Sequence, residues 1–550
     1  MGRESKRVRC DGAWTPPVTA LAFTSRSEFP SLPMIPCPAI RRFDLPHGLV
    51  TVDLRRLFPH ASFVGGTGIF AAHATDRSHL CRSNSVFAII RGTRDDGARY
   101  IADAISRGAT ALLTDRPQPG VHVPQCIVPD VRRAFAELCS ALAAHPSRHL
   151  ALAGVTGTNG KTTTTWLIRA LLRSAGHQAG LLGTIEYHDG VNSLPARLTT
   201  PDPATLNEWL GAMVMHRTTC AALEVSSHAL DQKRLAGNLL DAAVLTNVTH
   251  DHLDYHGTFE AYRAAKCRIF DLLKPTGHAI VNLDDDGSRS CLSATPRRSF
   301  TYSLRSAADF QGTVLDATPA GTHFRVDAAG WSREFCTTLV GEHNISNTLA
   351  AIAVAHSLEL DLDAIQRGLS HFRGVPGRLE AVNAGHPFPV YVDYAHTPDA
   401  LRRVLAALRP LVRGRLICVF GAGGDRDQAK RPLMGQAVAE LADLPVVTSD
   451  NPRSEDPQAI LDQIVAGMAG SSRRPFLEPD RRQAIRWALQ HAGSNDLVLI
   501  AGKGHETEQV IGRERHHFDD REVAFECLSE RHDSIIRSVP HNLGHSLIVP

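Results

Sequence analysis

The chain has no C-x-x-C pair among its 11 cysteines, and the count is odd. In a chain of 550 residues this argues against the common zinc frameworks and against a disulfide scaffold, so reduced thiols scattered through the cores are expected. An excess of one charge is missing too. The 59 Lys and Arg face 57 Asp and Glu, the formal net charge is +2, and the basic residues form no block. No nucleic-acid surface is indicated. No apolar run approaches the roughly 20 residues of a membrane helix, and the run at 18–23 is short for a signal-peptide core. A cytoplasmic protein without membrane insertion is expected. No short-period repeat of the solenoid kind occurs.

What is present is ordinary globular composition, 43% hydrophobic and 21% charged. At roughly 150 residues per domain the length suggests three or four domains. Residues 1–45 hold several prolines and no period, and are expected to be a disordered extension; Met34 is an alternative start. Residues 46–148 read as a small α/β unit, with strands at 85–90 and 109–114 around a helix at 98–107. A second unit, 149–376, opens with an apolar strand at 149–155, a glycine turn and a helix at 162–173. Further apolar strands follow at 220–225, 242–247 and 279–282. A third, 377–535, repeats the theme with strands at 390–393, 416–421, 445–449 and 496–501. Strand–helix alternation predicts an α/β fold with a mostly parallel, doubly wound sheet.

The first chemical signal is GVTGTNGKTTTT, residues 154–165, between strand and helix. Such a turn aims backbone N–H groups at phosphate, and the helix N-terminus adds positive potential. Lys161 would reach the β- and γ-phosphates and the Thr162 hydroxyl would bind Mg²⁺. The strict phosphate-loop pattern is not met, because Val155 occupies its first glycine position; glycines recur at 154, 157 and 160 instead. By itself the loop says only that a nucleotide binds.

Behind it the strand CAALEV carries Glu224 at its end, a carboxylate well placed to hold Mg²⁺. The segment 246–273 is dense in His and Asp, with His250, His252 and His256 alternating with Asp251 and Asp254, but matches no standard zinc spacing. Its second half predicts a helix whose apolar stripe is Phe259, Tyr262, Ile269, Phe270 and Leu273. Lys266 falls inside that stripe. A lysine there either snorkels to solvent or is functional. Burial lowers an amine's pKa, and a neutral amine can take up carbon dioxide as a carbamate, which would turn a cation into an anionic metal ligand.

These segments, GVTGTNGKTTT, EVSSHAL, TNVTHDHLDYHGT and YRAAK, resemble the Mur ligases. GEHNISNTLAA, PGRLE, VDYAHTPDAL, FGAGGDRDQAKRP, DNPR and AGKGHE continue the resemblance in order, over roughly residues 75–525. The resemblance implies three domains: one for a uridine nucleotide, a central one with a P-loop ATPase-like parallel sheet, and a Rossmann-like C-terminal one for an incoming amino acid. It implies that Gly157, Thr158, Asn159, Gly160, Lys161, Thr162 and Thr163 cradle ATP, with Asn347, Arg378 and Asp393 as further contacts. Thr162 and Glu224 are implied ligands of one Mg²⁺; Glu224, His252 and carbamylated Lys266 of a second. Ser78, Thr199, Thr200, Ser226, Gln232 and Arg234 match positions that hold UDP-MurNAc-L-Ala-D-Glu. The first unit departs from the family pattern: relatives carry Asp-Ser-Arg where this chain reads Arg77-Ser78-His79, although the later stretch 92–97 keeps its aspartate and second glycine.

The likeness is to the branch that adds meso-diaminopimelate, as a monomer, by way of an acyl phosphate. Selectivity is expected from Asp450-Asn451-Pro452-Arg453, at the end of a strand where open α/β sheets bind ligands. Arg453 can grip the distal carboxylate with two hydrogen bonds, Gly502 and Glu506 can meet the ammonium, and Arg426 the other carboxylate. A lysine-adding or folylpolyglutamate-forming sibling remains open, to be decided at the amino-acid pocket. An inactive scaffold is disfavoured by joint retention of Lys161, Glu224, His252 and Lys266. A mechanical P-loop ATPase would have no need of GRLE, DNPR or AGKGHE.

Overall fold

A computed structural model describes residues 51–538, apart from 67, 93, 94, 296 and 297. The extension expected at 1–45, with Met34, lies outside the described residues. The first described unit is a five-stranded sheet in the order Ser62–Val64, Gln125–Ile127, Ala109–Thr114, Ser85–Ala88, His73–Thr75. It is parallel except at the Ser62–Val64 edge. The helix predicted at 98–107 starts as a 3₁₀ turn, Gly97–Tyr100, capped by Asp96, and becomes α over Ile101–Ser106.

The central sheet has eleven strands. Its middle is parallel: Ala179–Leu182, β2 (Cys220–Glu224), β1 (Ala151–Thr156), β3 (Leu240–Leu245), Leu273–Asn282 and Ser299–Ser303 lie side by side. All six residues of β1 are buried, as a strand covered on both faces requires, so it reads as one apolar run. Helix α1 (Lys161–Ser174) lies against one face with helix α3 (Glu342–Ser357) beside it, through Leu167, Leu171, Ile345, Leu349 and Ile352.

Sequence reasoning missed both margins of this sheet. A hairpin, Glu186–His188 with Ser193–Pro195, closes one side. An antiparallel meander, Phe310–Thr318, Gly321–Ala328 and Trp331–Thr337, closes the other. In its middle strand Thr322, Phe324 and Val326 are buried while their neighbours are not, the period-two pattern of a half-covered strand.

The third sheet runs Glu380–Ala381, β4 (Val390–Asp393), β7 (Leu497–Ala501), β5 (Leu416–Phe420), β6 (Leu444–Val447), Phe476–Leu477, parallel but for its first pair. The predicted strands thus occur, with ends moved by at most two residues except at 279–282, which begins six residues earlier, at Leu273.

Two expectations are corrected. The predicted helix in 246–273 is α2 (Phe259–Cys267) followed by a 3₁₀ turn, Arg268–Leu272, and Leu273 begins the next strand. An apolar stripe cannot reveal that boundary, because a parallel strand is apolar too. Cys267 and Cys291 form a disulfide, so the thiols are not all reduced. The turn after Asn282 brings them together across 24 residues of chain, which no count of cysteines shows.

Candidate active site

The phosphate loop is held from both sides. Gly160 has φ +85°, a left-handed conformation that favours glycine. A Cβ there would stand 2.3 Å from Asn347 Oδ1 on α3. On the other side the segment after β3 grips the loop: Thr246 Oγ1 donates to Asn159 O (2.6 Å), and Asn159 N to Asn247 Oδ1 (2.9 Å). Thr158 Oγ1 lies 3.0 Å from the Tyr262 hydroxyl. Lys161 Nζ donates back to Gly157 O (2.7 Å) and Thr158 O (3.0 Å). Burial lowers its pKa, against the pull of Glu224 and Asp251.

Glu224 is buried at the end of β2. Its carboxylate accepts from Thr162 Oγ1 (3.0 Å), Thr184 Oγ1 (2.9 Å) and Thr184 N (2.9 Å). Lys266 is only 1% exposed, which rules out snorkelling. Its amine lies 4.6 Å from the centre of the Tyr262 ring, and burial followed by the Lys161 charge pushes its pKa well down. His252 has φ +52° and pairs with Asp251 at 3.7 Å. Its ring belongs to a cluster with His228 and Tyr262. Among the described residues no three His, Cys, Asp or Glu side chains converge as a metal group. The oxygen donors are Glu224 and Thr162; they suit Mg²⁺, which takes few protein ligands and keeps room for phosphate oxygens and water.

A cleft of about 1020 Å³ opens between the central and third sheets. It is lined by Thr158 to Thr163, Thr199, Glu224, His252, Asn347, Arg378 and Asp393. Arg378 stacks 4.7 Å over the Tyr394 ring. Asp393, at the end of β4, accepts from Leu379 N (2.7 Å) and Ala395 N (2.8 Å). Gly157 and Lys266 are not part of this lining.

The residues expected to hold the acceptor form a second group beside it. Thr200 Oγ1 donates to Glu224 O (2.8 Å) and Ser226 Oγ (3.2 Å). Arg234 donates to Thr200 O (2.7 Å) and, by Nε and Nη2, to Gln232 Oε1 (3.1 and 2.9 Å). Thr199 Oγ1 accepts from Thr184 Oγ1 (3.1 Å). Ser78 is not brought to the cleft; it is buried in the first unit and bonded to Asp103. Its neighbour Arg77 reaches Asp202 at 3.2 Å, joining the first unit to the loop after Thr200.

The third group lies at the ends of β6 and β7. Asp450 and Asn451 are buried. A Cβ on Gly502, whose φ is +122°, would stand 2.7 Å from Asp450 Oδ2. Asn451 Nδ2 donates to Glu506 Oε2 (3.0 Å). Arg453, at φ +52°, donates by Nη1 to Gly424 O (2.6 Å). A Cβ on Gly423 would lie 3.0 Å from Arg453 Nη1 and 3.7 Å from Arg426 Cγ, so both arginines flank that glycine. Pro452 O would meet a Cβ on Gly424 at 1.8 Å, so only glycine fits there.

With this geometry in hand, comparison with known proteins is decisive. Residues 155–355 match the Mur ligase middle domain, and 377–504 the Mur ligase glutamate ligase domain. The chain is 48% identical over 466 residues to the UDP-N-acetylmuramoyl-L-alanyl-D-glutamate–2,6-diaminopimelate ligase of Gloeobacter violaceus, covering 84% of this chain and 94% of the relative. The chain belongs to the Mur ligase family. A solved ligase of the same description is similar over 88% of this Mur ligase and all of its own chain, at 33% identity and TM-score 0.66. The MurF ligase of Thermotoga maritima, solved in complex with ADP, shares the fold at 18% identity and TM-score 0.55, covering 84% of this chain and 98% of its own.

Sequence reasoning about this Mur ligase passed over several residues that build the site. Thr184 makes two of the hydrogen bonds to Glu224 and belongs to no motif. Arg481 and Asp520 form a wholly buried ion pair, and Arg481 also donates to Ser449 O and Ala501 O, tying the ends of β6 and β7 together. Lys503 lies inside AGKGHE and is wholly buried. Only that last residue carried a readable signal, a lysine between two glycines after an apolar strand.

Proposed function

We propose that this Mur ligase joins meso-diaminopimelate to the D-glutamate γ-carboxylate of UDP-MurNAc-L-Ala-D-Glu, with ATP converted to ADP and phosphate. The observation that carries this reading is the single cleft in which Lys161, Thr162, Glu224, Thr199, Arg378 and Asp393 face one another. It lets the phosphoryl donor and the acceptor carboxylate meet between two sheets. The proposed domains are 46–148 for the uridine nucleotide, 149–376 for ATP and 377–535 for the amino acid. The proposal places the enzyme in the cytoplasm as a monomer. No described helix is long and apolar enough to cross a membrane.

Carboxylate and ammonium do not condense in water unaided. The γ-phosphoryl group passes to the acceptor carboxylate, giving an acyl phosphate and ADP. The neutral amine of diaminopimelate then attacks the acyl carbon, phosphate leaves with the bonding electron pair, and the nitrogen gives up one proton to the departing phosphate or to water as the amide forms. Lys161 and the phosphate-loop N–H groups offset the repulsion between two anions in the first step. Thr162 and Glu224 would hold one Mg²⁺, and Glu224, His252 and carbamylated Lys266 a second, supplying further positive charge to the transferring group. The buried Lys266 amine suits that modification: its nitrogen adds to carbon dioxide, loses a proton, and becomes an anionic oxygen ligand. Asn347, Arg378 and Asp393 orient ATP. Thr200, Ser226, Gln232 and Arg234 orient the acceptor.

The test is ADP release with ATP, Mg²⁺ and UDP-MurNAc-L-Ala-D-Glu, comparing meso-diaminopimelate with L-lysine. Turnover with diaminopimelate alone is expected. Equal use of lysine, or no dependence on the muramoyl dipeptide, would overturn the reading.

A further inference from the structure

Lys503 is wholly buried, at the start of the turn that carries Glu506. Its Nζ donates to Glu508 O (2.6 Å), Asn451 Oδ1 (3.2 Å) and Glu506 Oε2 (3.4 Å). Val510 N donates to the same Asn451 Oδ1 at 3.0 Å. An amide side chain can ordinarily turn over, exchanging oxygen and nitrogen. Here it cannot. Lys503 and Val510 N are both donors and carry no acceptor, so Asn451 must give them its oxygen. Its Nδ2 is thereby aimed at Glu506 Oε2, 3.0 Å away.

The consequence falls on Glu506. Oε2 takes both Asn451 Nδ2 and the Lys503 ammonium, and Oε1 stands outside those two bonds. The Glu506 side chain is 35% exposed while Lys503 is sealed beneath it. Burial raises the Tyr394 phenol's pKa, and the charges of Glu506, Arg378, Asp450 and Arg426 all act on it. Diaminopimelate poised to react keeps one ammonium, its attacking amine being neutral; two carboxylates facing that ammonium would exceed it, and Lys503 offsets one of them from below.

We infer that Lys503 is the positioning residue of the amino-acid site: it does not touch diaminopimelate, but locks Asn451 and Glu506 in the one arrangement that presents Glu506 Oε1 to the ligand's distal ammonium. This rests on the proposed function above. A side chain left free to rotate must be ordered on binding, and two correctly aimed polar groups are lost together when their shared anchor goes.

The experiment measures KM for diaminopimelate, KM for ATP, kcat and thermal midpoint for Lys503→Met, Asn451→Ala and the double variant. Lys503→Met is expected to raise KM for diaminopimelate at least about 10-fold, a shift of roughly 1.4 kcal/mol, with KM for ATP within about two-fold. Because Lys503 and Asn451 hold the same Glu506 oxygen, the double variant is expected to lose clearly less than the sum of the two single losses. Unchanged diaminopimelate kinetics in Lys503→Met, additive losses in the double variant, or a uniform fall in all parameters with the thermal midpoint would each overturn the inference. If Lys503→Met yields no folded protein, Asn451→Asp decides. It keeps an acceptor for Lys503 and Val510 but sets a carboxylate against Glu506, and must raise KM for diaminopimelate selectively; wild-type kinetics would refute the role. A wild-type enzyme with no diaminopimelate turnover would instead remove the functional reading beneath it.

Discussion

At the scale of single residues, two side chains carry the sharpest consequences. Lys266 is buried against Tyr262 with its amine pKa pushed well down. Lys266→Ala is expected to remove most turnover, about 10²-fold or more on the scale of lost electrostatic stabilisation, while ATP binding survives. A short carboxylic acid in the buffer should restore part of it, since it returns an oxygen ligand to the same space. Full activity of the unrescued variant would refute the carbamate. Arg453 combines a left-handed backbone with a guanidinium resting on Gly424 O, so one of its donors is spent on the loop and the rest remain for a carboxylate. Arg453→Ala is expected to cost about 3 kcal/mol of binding at the transition state, the usual scale for breaking a desolvated charge pair. The loss should fall on KM for diaminopimelate, with KM for ATP little changed, and lysine should not become a good substrate.

At the scale of elements, the loops between strand and helix are set by what packs on them. Gly160 sits at φ +85° with Asn347 Oδ1 filling the space a Cβ would need. Gly160→Ala must therefore shift the phosphate loop away from α3, and KM for ATP is expected to rise about 10-fold or more, near 1.4 kcal/mol. An unchanged ATP titration would show that the loop tolerates the methyl group. A second element, the helix Lys430–Leu441, anchors the loop after β5. Its buried Arg431 donates twice to Glu455, at 2.8 Å each, and to Gly423 O at 3.2 Å. The Arg431 hydrogen bonds, then the Asp425 N–H, hold the Glu455 carboxyl down at about 2, against an ordinary 4.5. A depressed carboxyl stabilises the fold above its unfolded value, and that contribution is lost as pH falls toward the folded value. The stability difference between wild type and Glu455→Gln is thus expected to be full above pH 4.5 and to shrink below it toward pH 2. Thermal unfolding across that range measures it, and a difference independent of pH would refute the assignment.

At the scale of the whole molecule, the described residues supply the three large sheets and the cleft without residues 1–45. A chain starting near residue 46 is expected to keep its ligase activity, and loss of folding or turnover would show that the extension packs on the body. What the sequence by itself determined was local. The phosphate loop, the apolar strands of the parallel core and the order of the family motifs are written in neighbouring residues, because a strand covered on both faces must be apolar and a phosphate turn must contain glycine. The antiparallel meander at 310–337 was passed over: its middle strand alternates, but the first strand is exposed over its second half and shows no continuous period. Leu273 was misplaced because helix stripe and buried strand use the same side chains. Only the tertiary structure decided that Thr184 supports Glu224, that Arg481 and Asp520 tie two strand ends together, and that Lys503 dictates which atom Asn451 presents. Each of those facts is a hydrogen bond between segments 20 to 52 residues apart, whose partners are chosen by the packing of the sheet and by the need of every buried donor to find an acceptor.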